Sequence, residues 1–316
     1  MTDVQKLRAF TGLQPSGTLH IGNYFGAMAP LLELTKNYDT MLMVADYHAL
    51  TSVRDGATLR QNILNTVRDY LAAGFDPETI TIFRQSDNPD HTELAWTLNC
   101  LVSVKFLELA HAYKDKVAKG LEANAGLFTY PMLMAADILL YNADVVPVGE
   151  DQRQHLEYTR EAAAKFNLAY GDTLKEPKEL IQKALGVVPG TDGQKMSKSY
   201  KNTIPLFGTC EEIEKAVLSI VTDSSGERPQ HVYAIHKLFK SEAELESLYT
   251  EHTGKYKALK DALTKDIDTF VAPMREKRAS ISDEYIKDVL EAGASKAHSI
   301  SNQTLQQVRD VIGINL

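Results

Sequence analysis

The feature that most narrows the fold is a rhythm of short and long segments. Three brief apolar runs, LRAFTG, TMLMVAD and TITIFRQ, alternate with longer stretches in which apolar residues recur every three or four positions, and ADVVPVGED adds a fourth run. Continuous apolar runs of that length suit strands buried on both faces, the pattern of a parallel sheet covered by helices. In ATLRQNILNTVRDYLAAG, Leu59, Ile63, Val67, Tyr70 and Leu71 fall near one helical face, and Gly74 stands where a helix stops. Residues 151–166 read as a further helix, with Asp151 placed to cap its free amides. The expected architecture of the first half is α/β: an open sheet with helices on both faces and right-handed crossovers.

From about 167 to 204 the pattern loosens into turns, and beyond it the chain is helical without convincing strands. Three units are therefore expected: a sheet domain over 1–204, a smaller all-helical domain over 205–300, and a helix over 301–316. That last helix carries Leu305, Val308 and Ile312 on a stripe suited to returning to the sheet domain. A chain of 316 residues can carry this plan without staples. Two cysteines, Cys100 and Cys210, exclude a disulfide framework and a four-thiolate metal site, so neither zinc nor an iron–sulfur cluster is expected. The net charge of −8 argues against a non-specific nucleic-acid coat but not against local contacts. Lys255, Lys257, Lys260, Arg275, Lys277 and Arg278 supply patches that suit either phosphates or solvent. Without a long apolar span or a leader-like start, a soluble cytoplasmic protein with no membrane partner is expected.

Two segments are suited to phosphate chemistry. FTGLQPSGTLHIGN follows the first strand, and its Gly12 and Pro15-Ser16-Gly17 turn allow a tight corner before a helix opening near His20 to Asn23. His20 and Asn23 are neighbours on one turn and both can donate to phosphate oxygens. An ordinary capped corner is the competing account. In QKMSKSYKN, Lys195 and Lys198 flank Met196-Ser197, cations suited to following charge onto a leaving pyrophosphate; a solvated basic loop is the alternative. A third segment, TYPMLMAADILLYN, reads as a helix with Pro131 in its first turn and with Tyr130, Met134, Asp137 and Tyr141 on one stripe. An acid among so many apolar neighbours needs a donor such as a ligand's heteroaromatic N–H; the alternative is that it accepts from the protein's own backbone or sits at a rim. His111, His155, His231 and His236 form no convincing metal set, and His155 reads as packing or support. Trp96 reads as a packing residue on a helix or as a contact for a partner. Leu98, Cys100, Leu101, Val102, Val104, Phe106 and Leu107 suit a core or an interface.

His20-Ile21-Gly22-Asn23 and Lys195-Met196-Ser197-Lys198-Ser199, in that order, resemble the two signatures of class I aminoacyl-tRNA synthetases, with Asn23 in place of a final histidine. GLQPSG, GLFTYPMLMAADILLY and VPVGEDQRQH resemble the tryptophanyl branch of that family, and the likeness covers nearly the whole chain. The resemblance implies a Rossmann-like catalytic domain over 1–204 with the lysine loop at 195–199, an anticodon-reading helical domain over 205–300, and a homodimer. It implies tryptophan activation with ATP, magnesium carried on the ATP phosphates, and transfer to tRNA(Trp). By position, Asp137 would accept the indole N–H, while Phe10, Met134, Val146 and Val148 shape the ring pocket and Tyr130 and Gln152 hold the amine. Gln14, His20, Gly22 and Asn23 would hold ATP, Gly149 and Asp151 would lie by the ribose, and Lys116, Lys195 and Lys198, with Met196 and Ser197, would serve the phosphates. HAYKDK stands where TQFKDK is common, and Tyr47 where glutamine is frequent. A tyrosyl-tRNA synthetase and a non-catalytic tRNA- or tryptophan-binding paralogue are the competing readings.

Overall fold

The computed structural model describes residues 6–120, 122–149, 153–181, 188–222 and 228–316. Among them, β1 (Arg8–Leu13), β2 (Asp39–Val44), β3 (Thr81–Arg84), β4 (Val145–Val148) and β5 (Lys178–Ile181) form one parallel sheet in the order β3-β2-β1-β4-β5. The first four are the apolar runs of the sequence. The fifth, KELI, falls in the stretch expected to be turns, because it is short and lies at the sheet edge, where one half of its polar backbone already faces away from a partner.

Eleven α-helices of seven or more residues accompany the sheet among the described residues: α1 Ala29–Thr35, α2 Gly56–Ala72, α3 Asp90–Asn99, α4 His111–Ala118, α5 Ala125–Leu139, α6 Arg153–Tyr170, α7 Cys210–Leu218, α8 Gln230–His236, α9 Glu242–Glu251, α10 Tyr256–Ser280 and α11 Asp283–Ile312. Local chemistry sets several starts. Asp55 accepts from Thr58 N at 2.7 Å to open α2, and Thr209 with Glu212 forms a reciprocal capping box at α7. Asn124 caps α5 by accepting from Leu127 N at 2.8 Å, so Pro131 lies inside the helix rather than in its first turn. The cap sets where the helix starts, and burial of Met132, Ala135, Ala136, Ile138 and Leu139 offsets the lost bond and ring clash of the interior proline, which cost more than a cap supplies.

The helix expected over 301–316 does not start there but continues one that begins in the 205–300 region. α11 runs unbroken from its Ser282 cap to Gly313, whose φ of +79° ends it. Its middle crosses β3 so closely that a Cβ on Gly293 would sit 1.7 Å from the Ile82 carbonyl oxygen. One face of the sheet, with Ile21, Phe25, Leu42 and Val44, shares a continuous core with Ile213, Val217, Val232, Leu263 and Ile267 of the helical region. Phe25 stacks on Phe270 at 5.5 Å and meets Phe239 edge-on. The opposite face packs Phe10, Met41, Met43 and Phe83 against α3, α5, α6 and the end of α11.

Three of the six cations read as a basic patch hold the fold together. Lys260 Nζ donates to the carbonyls of Leu218 and Ile220 at 2.9 and 2.8 Å, satisfying the end of α7. Arg275 donates to Gly208 O, and Arg278 pairs with the buried Asp69 at 2.5 Å. Trp96 is not a packing residue: it is 73% exposed on α3. Among the described residues no helix is long and apolar enough to cross a membrane.

Candidate active site

Strands β1 and β4 are neighbours, but the chain runs outward from them in opposite directions, so their carboxyl ends diverge into a crevice. A cavity of about 450 Å³ opens there. Of the residues predicted to take the amino acid or ATP, Phe10, Gln14, Tyr130, Met134, Asp137, Val146 and Val148 line it. So do Thr11, Gly12, His48 and His155. The strands deliver Phe10, Val146 and Val148, while α5 delivers Tyr130, Met134 and Asp137 from one face, as the spacing requires.

Asp137 is 1% exposed and is met from three directions. His48 Nε2 lies 2.8 Å from Oδ2, while Gln85 Nε2 at 2.8 Å and His91 Nδ1 at 2.7 Å converge on Oδ1. Burial alone would raise the pKa of this carboxyl. The hydrogen bonds from His48 and His91 outweigh that penalty and hold it at about 2. The site therefore presents an anion that can only accept, and with three of its roughly four lone-pair directions used it has room for one further donor. His48, Gln85 and His91 were not singled out from the sequence. They come from three separate segments, and the unmet demand of a buried acid was the only signal for them. His155, read as packing or support, lines the cavity, with Nε2 2.6 Å from the Tyr130 hydroxyl.

The two phosphate-directed segments meet beside this cavity. The amide of Ile21 donates to Ile204 O at 3.0 Å and that of Leu206 to Leu19 O at 3.1 Å, so the chain leaving the lysine loop is stitched to the first corner. A Cβ on Gly22 would stand 3.2 Å from Met196 Cβ, and Lys198 Nζ donates to Ser16 O at 2.7 Å. His20 caps the opening turn, and Asn23 Oδ1 accepts from its amide at 3.0 Å, which leaves the Asn23 amide hydrogens available. Burial, with the Lys198 charge adding to it, pushes His20 down to about 4. The loop itself is held by Asn202, a residue just outside the Lys195–Ser199 signature. Its Oδ1 accepts from Ser197 N at 2.7 Å, and its Nδ2 donates to Asp192 at 2.7 Å and to Lys195 O at 3.1 Å.

Lys195 is exposed on this loop, and Gly149 is exposed just past β4. Lys116 is half-buried on α4 and does not line the cavity. Asp151 and Gln152, and the side chain of Ala112, lie outside the described residues.

A crevice at the strand-order reversal, with an ion-only acceptor on one side and a lysine loop against the first strand's corner on the other, defines a nucleotide-dependent α/β enzyme of the class I synthetase type. Residues 2–283 match the model of the family described as tRNA synthetases class I (W and Y), and the chain belongs to that family. Among its members it is similar to the tryptophan–tRNA ligase of Fusobacterium nucleatum, 46% identical over 97% of this chain and 98% of the relative. It is 42% identical to that of Rhodopirellula baltica, over 98% of this chain and 100% of the relative. A crystal structure of tryptophanyl-tRNA synthetase from Campylobacter jejuni, complexed with ADP and tryptophan, superposes with a TM-score of 0.92 at 40% identity, covering 97% of this chain and 100% of the other.

Proposed function

We propose that this chain is a tryptophan–tRNA ligase. It joins L-tryptophan to the α-phosphate of ATP, releasing pyrophosphate, and then passes the tryptophanyl group to tRNA(Trp). The observation that carries this reading is Asp137: a carboxylate held ionised at the wall of an aromatic-sized cavity matches a ring whose one polar atom is a donor. Phe10, Met134, Val146 and Val148 take the indole faces, and Tyr130 and Gln152 take the amine.

The substrate carboxylate is itself the nucleophile, so activation needs alignment and charge neutralisation rather than a protein nucleophile. A carboxylate oxygen bonds to the α-phosphorus as the bond to the pyrophosphate oxygen breaks. Gln14, Gly22, Asn23 and the neutral His20 ring position the triphosphate, and Gly149 and Asp151 lie by the ribose. Lys195, Lys198 and Lys116, with the Met196-Ser197 backbone, meet the charge that moves onto pyrophosphate. Magnesium enters as part of the ATP substrate. The helical region reads the anticodon, the active species is a homodimer, and its compartment is the cytoplasm.

Amino-acid-dependent exchange of labelled pyrophosphate into ATP tests the reading. Exchange driven by tryptophan and not by tyrosine is expected. Exchange driven by tyrosine, or none with either amino acid, overturns it.

A further inference from the structure

We propose that Ser301, on α11, is a positioning residue for substrate selection, acting through Asn88, Tyr141 and His91 on the hydrogen bond that His91 donates to Asp137. The inference rests on the reading of Asp137 as the acceptor for the substrate ring N–H.

The path is a chain of buried polar groups whose direction is fixed at its far end. Ser301 Oγ lies 2.6 Å from Asp90 Oδ2 and 3.2 Å from His298 O, both of which only accept, so the serine proton is committed and its oxygen is left to accept. Asn88 Nδ2 donates to that oxygen at 2.7 Å, while Asn88 Oδ1 accepts from the Asp90 amide at 3.2 Å. These contacts, with His298 Nδ1 3.3 Å from Asn88 Oδ1, orient the Asn88 amide. Its second N–H then donates to the Tyr141 hydroxyl oxygen at 3.1 Å, so the single phenolic proton is left for His91 Nε2, 2.8 Å away. A ring nitrogen that accepts carries no proton, and the ring proton therefore sits on Nδ1, pointed at Asp137 Oδ1 at 2.7 Å.

Asn88, His91, Tyr141 and Ser301 are all fully buried, which keeps solvent from supplying a substitute proton. Without the Ser301 hydroxyl, one Asn88 N–H loses its acceptor and less holds the amide in place. An Asn88 turned over would accept from Tyr141, His91 Nε2 would have to donate, and Nδ1 would face the Asp137 carboxylate as a second acceptor. That arrangement repels. The acid would shift or rotate to avoid it, and the lone pair aimed at the cavity would move with it.

The contribution is one of geometry, so it should appear where the ring N–H matters and nowhere else. The test compares tryptophan with β-(3-benzothienyl)alanine, a ring of similar shape that lacks the donor, in pyrophosphate exchange by the full-length wild type, Ser301→Ala, Ser301→Thr and Asp137→Asn. Ser301→Ala should reduce the preference in kcat/KM for tryptophan over the analogue roughly tenfold. The KM for ATP should stay within about twofold of wild type, as for a separate binding step. Ser301→Thr, which keeps the hydroxyl, should restore the preference. If Ser301→Ala lowers activity equally on both substrates, or leaves both unchanged while Asp137→Asn abolishes the preference, the Ser301 proposal is wrong and the reading of Asp137 stands. If Asp137→Asn leaves the preference intact, that reading fails as well.

Discussion

Among single residues, the roles proposed for the carboxylate of Asp137 and the cation of Lys195 divide the work between recognition and chemistry. An interaction strengthened as charge moves onto a leaving group appears in kcat, whereas a contact equal in ground and transition states appears in KM. Lys195→Ala should therefore lower kcat for tryptophan-dependent exchange by about 100- to 1000-fold, corresponding to the ~2.7–4 kcal/mol of a well-placed oxyanion donor, and leave the KM for tryptophan nearly unchanged. An equal loss in both constants would place the lysine in binding instead. His20 gives a stability signature. Its folded-state pKa, about 4, lies below the unfolded value near 6.5, so the unfolded chain binds the extra proton between those limits. The stability gained from keeping the ring neutral is complete above about pH 6.5 and declines as the pH falls toward 4, with a slope of at most about 1.4 kcal/mol per pH unit. Urea midpoints recorded across that window should fall less steeply for His20→Gln than for wild type, and parallel curves would contradict the assignment.

Elements here are fixed by contacts that propensity does not register. Replacing a mid-helix glycine with alanine ordinarily gains about 1 kcal/mol. At Gly293 the sign should reverse, because the new methyl would lie 1.7 Å from the Ile82 carbonyl oxygen and α11 would have to lift from β3. Overpacking of this kind costs about 3 kcal/mol, which outweighs the helical gain, and Gly293→Ala should lower the denaturation midpoint. A rise in the midpoint would mean that helix and strand are not in backbone contact. The lysine loop follows similar logic. Its cations are visible in the sequence, but its shape comes from Asn202, buried at 2% exposure and bonded to three points of the loop. Strand β5 and the interior position of Pro131 also escaped local reasoning, the first because an edge strand need not be apolar and the second because a cap competed with it.

For the whole molecule, the proposed dimer draws on apolar surface that no intramolecular partner covers. Trp96 and Val104 are 73% and 63% exposed, in the same stretch of chain as the half-exposed Leu109 and Val117. Leu98 and Leu107, from that stretch, are core residues, so the apolar run divides between interior and surface, a division its composition could not reveal. A charge in the centre of an apolar interface is strongly unfavourable. Val104→Asp should therefore shift the sedimenting species from two chains to one, with little change in the thermal transition of the isolated fold. A variant that remains a dimer would move the interface elsewhere.

The sequence alone determined the alternation that makes a parallel sheet, the corner after the first strand, the lysine loop and the acid on an apolar helical face. Each is a local pattern, legible because spacing along a chain maps directly onto faces and turns. The tertiary structure decided what meets those residues. His48, Gln85 and His91 converge on Asp137 from separate segments, and α11 reaches from the helical region across β3 to Ser301 at the far end of the same network. Such partners are chosen by chain crossing and burial, and no period in the sequence encodes which distant donor will satisfy a buried charge.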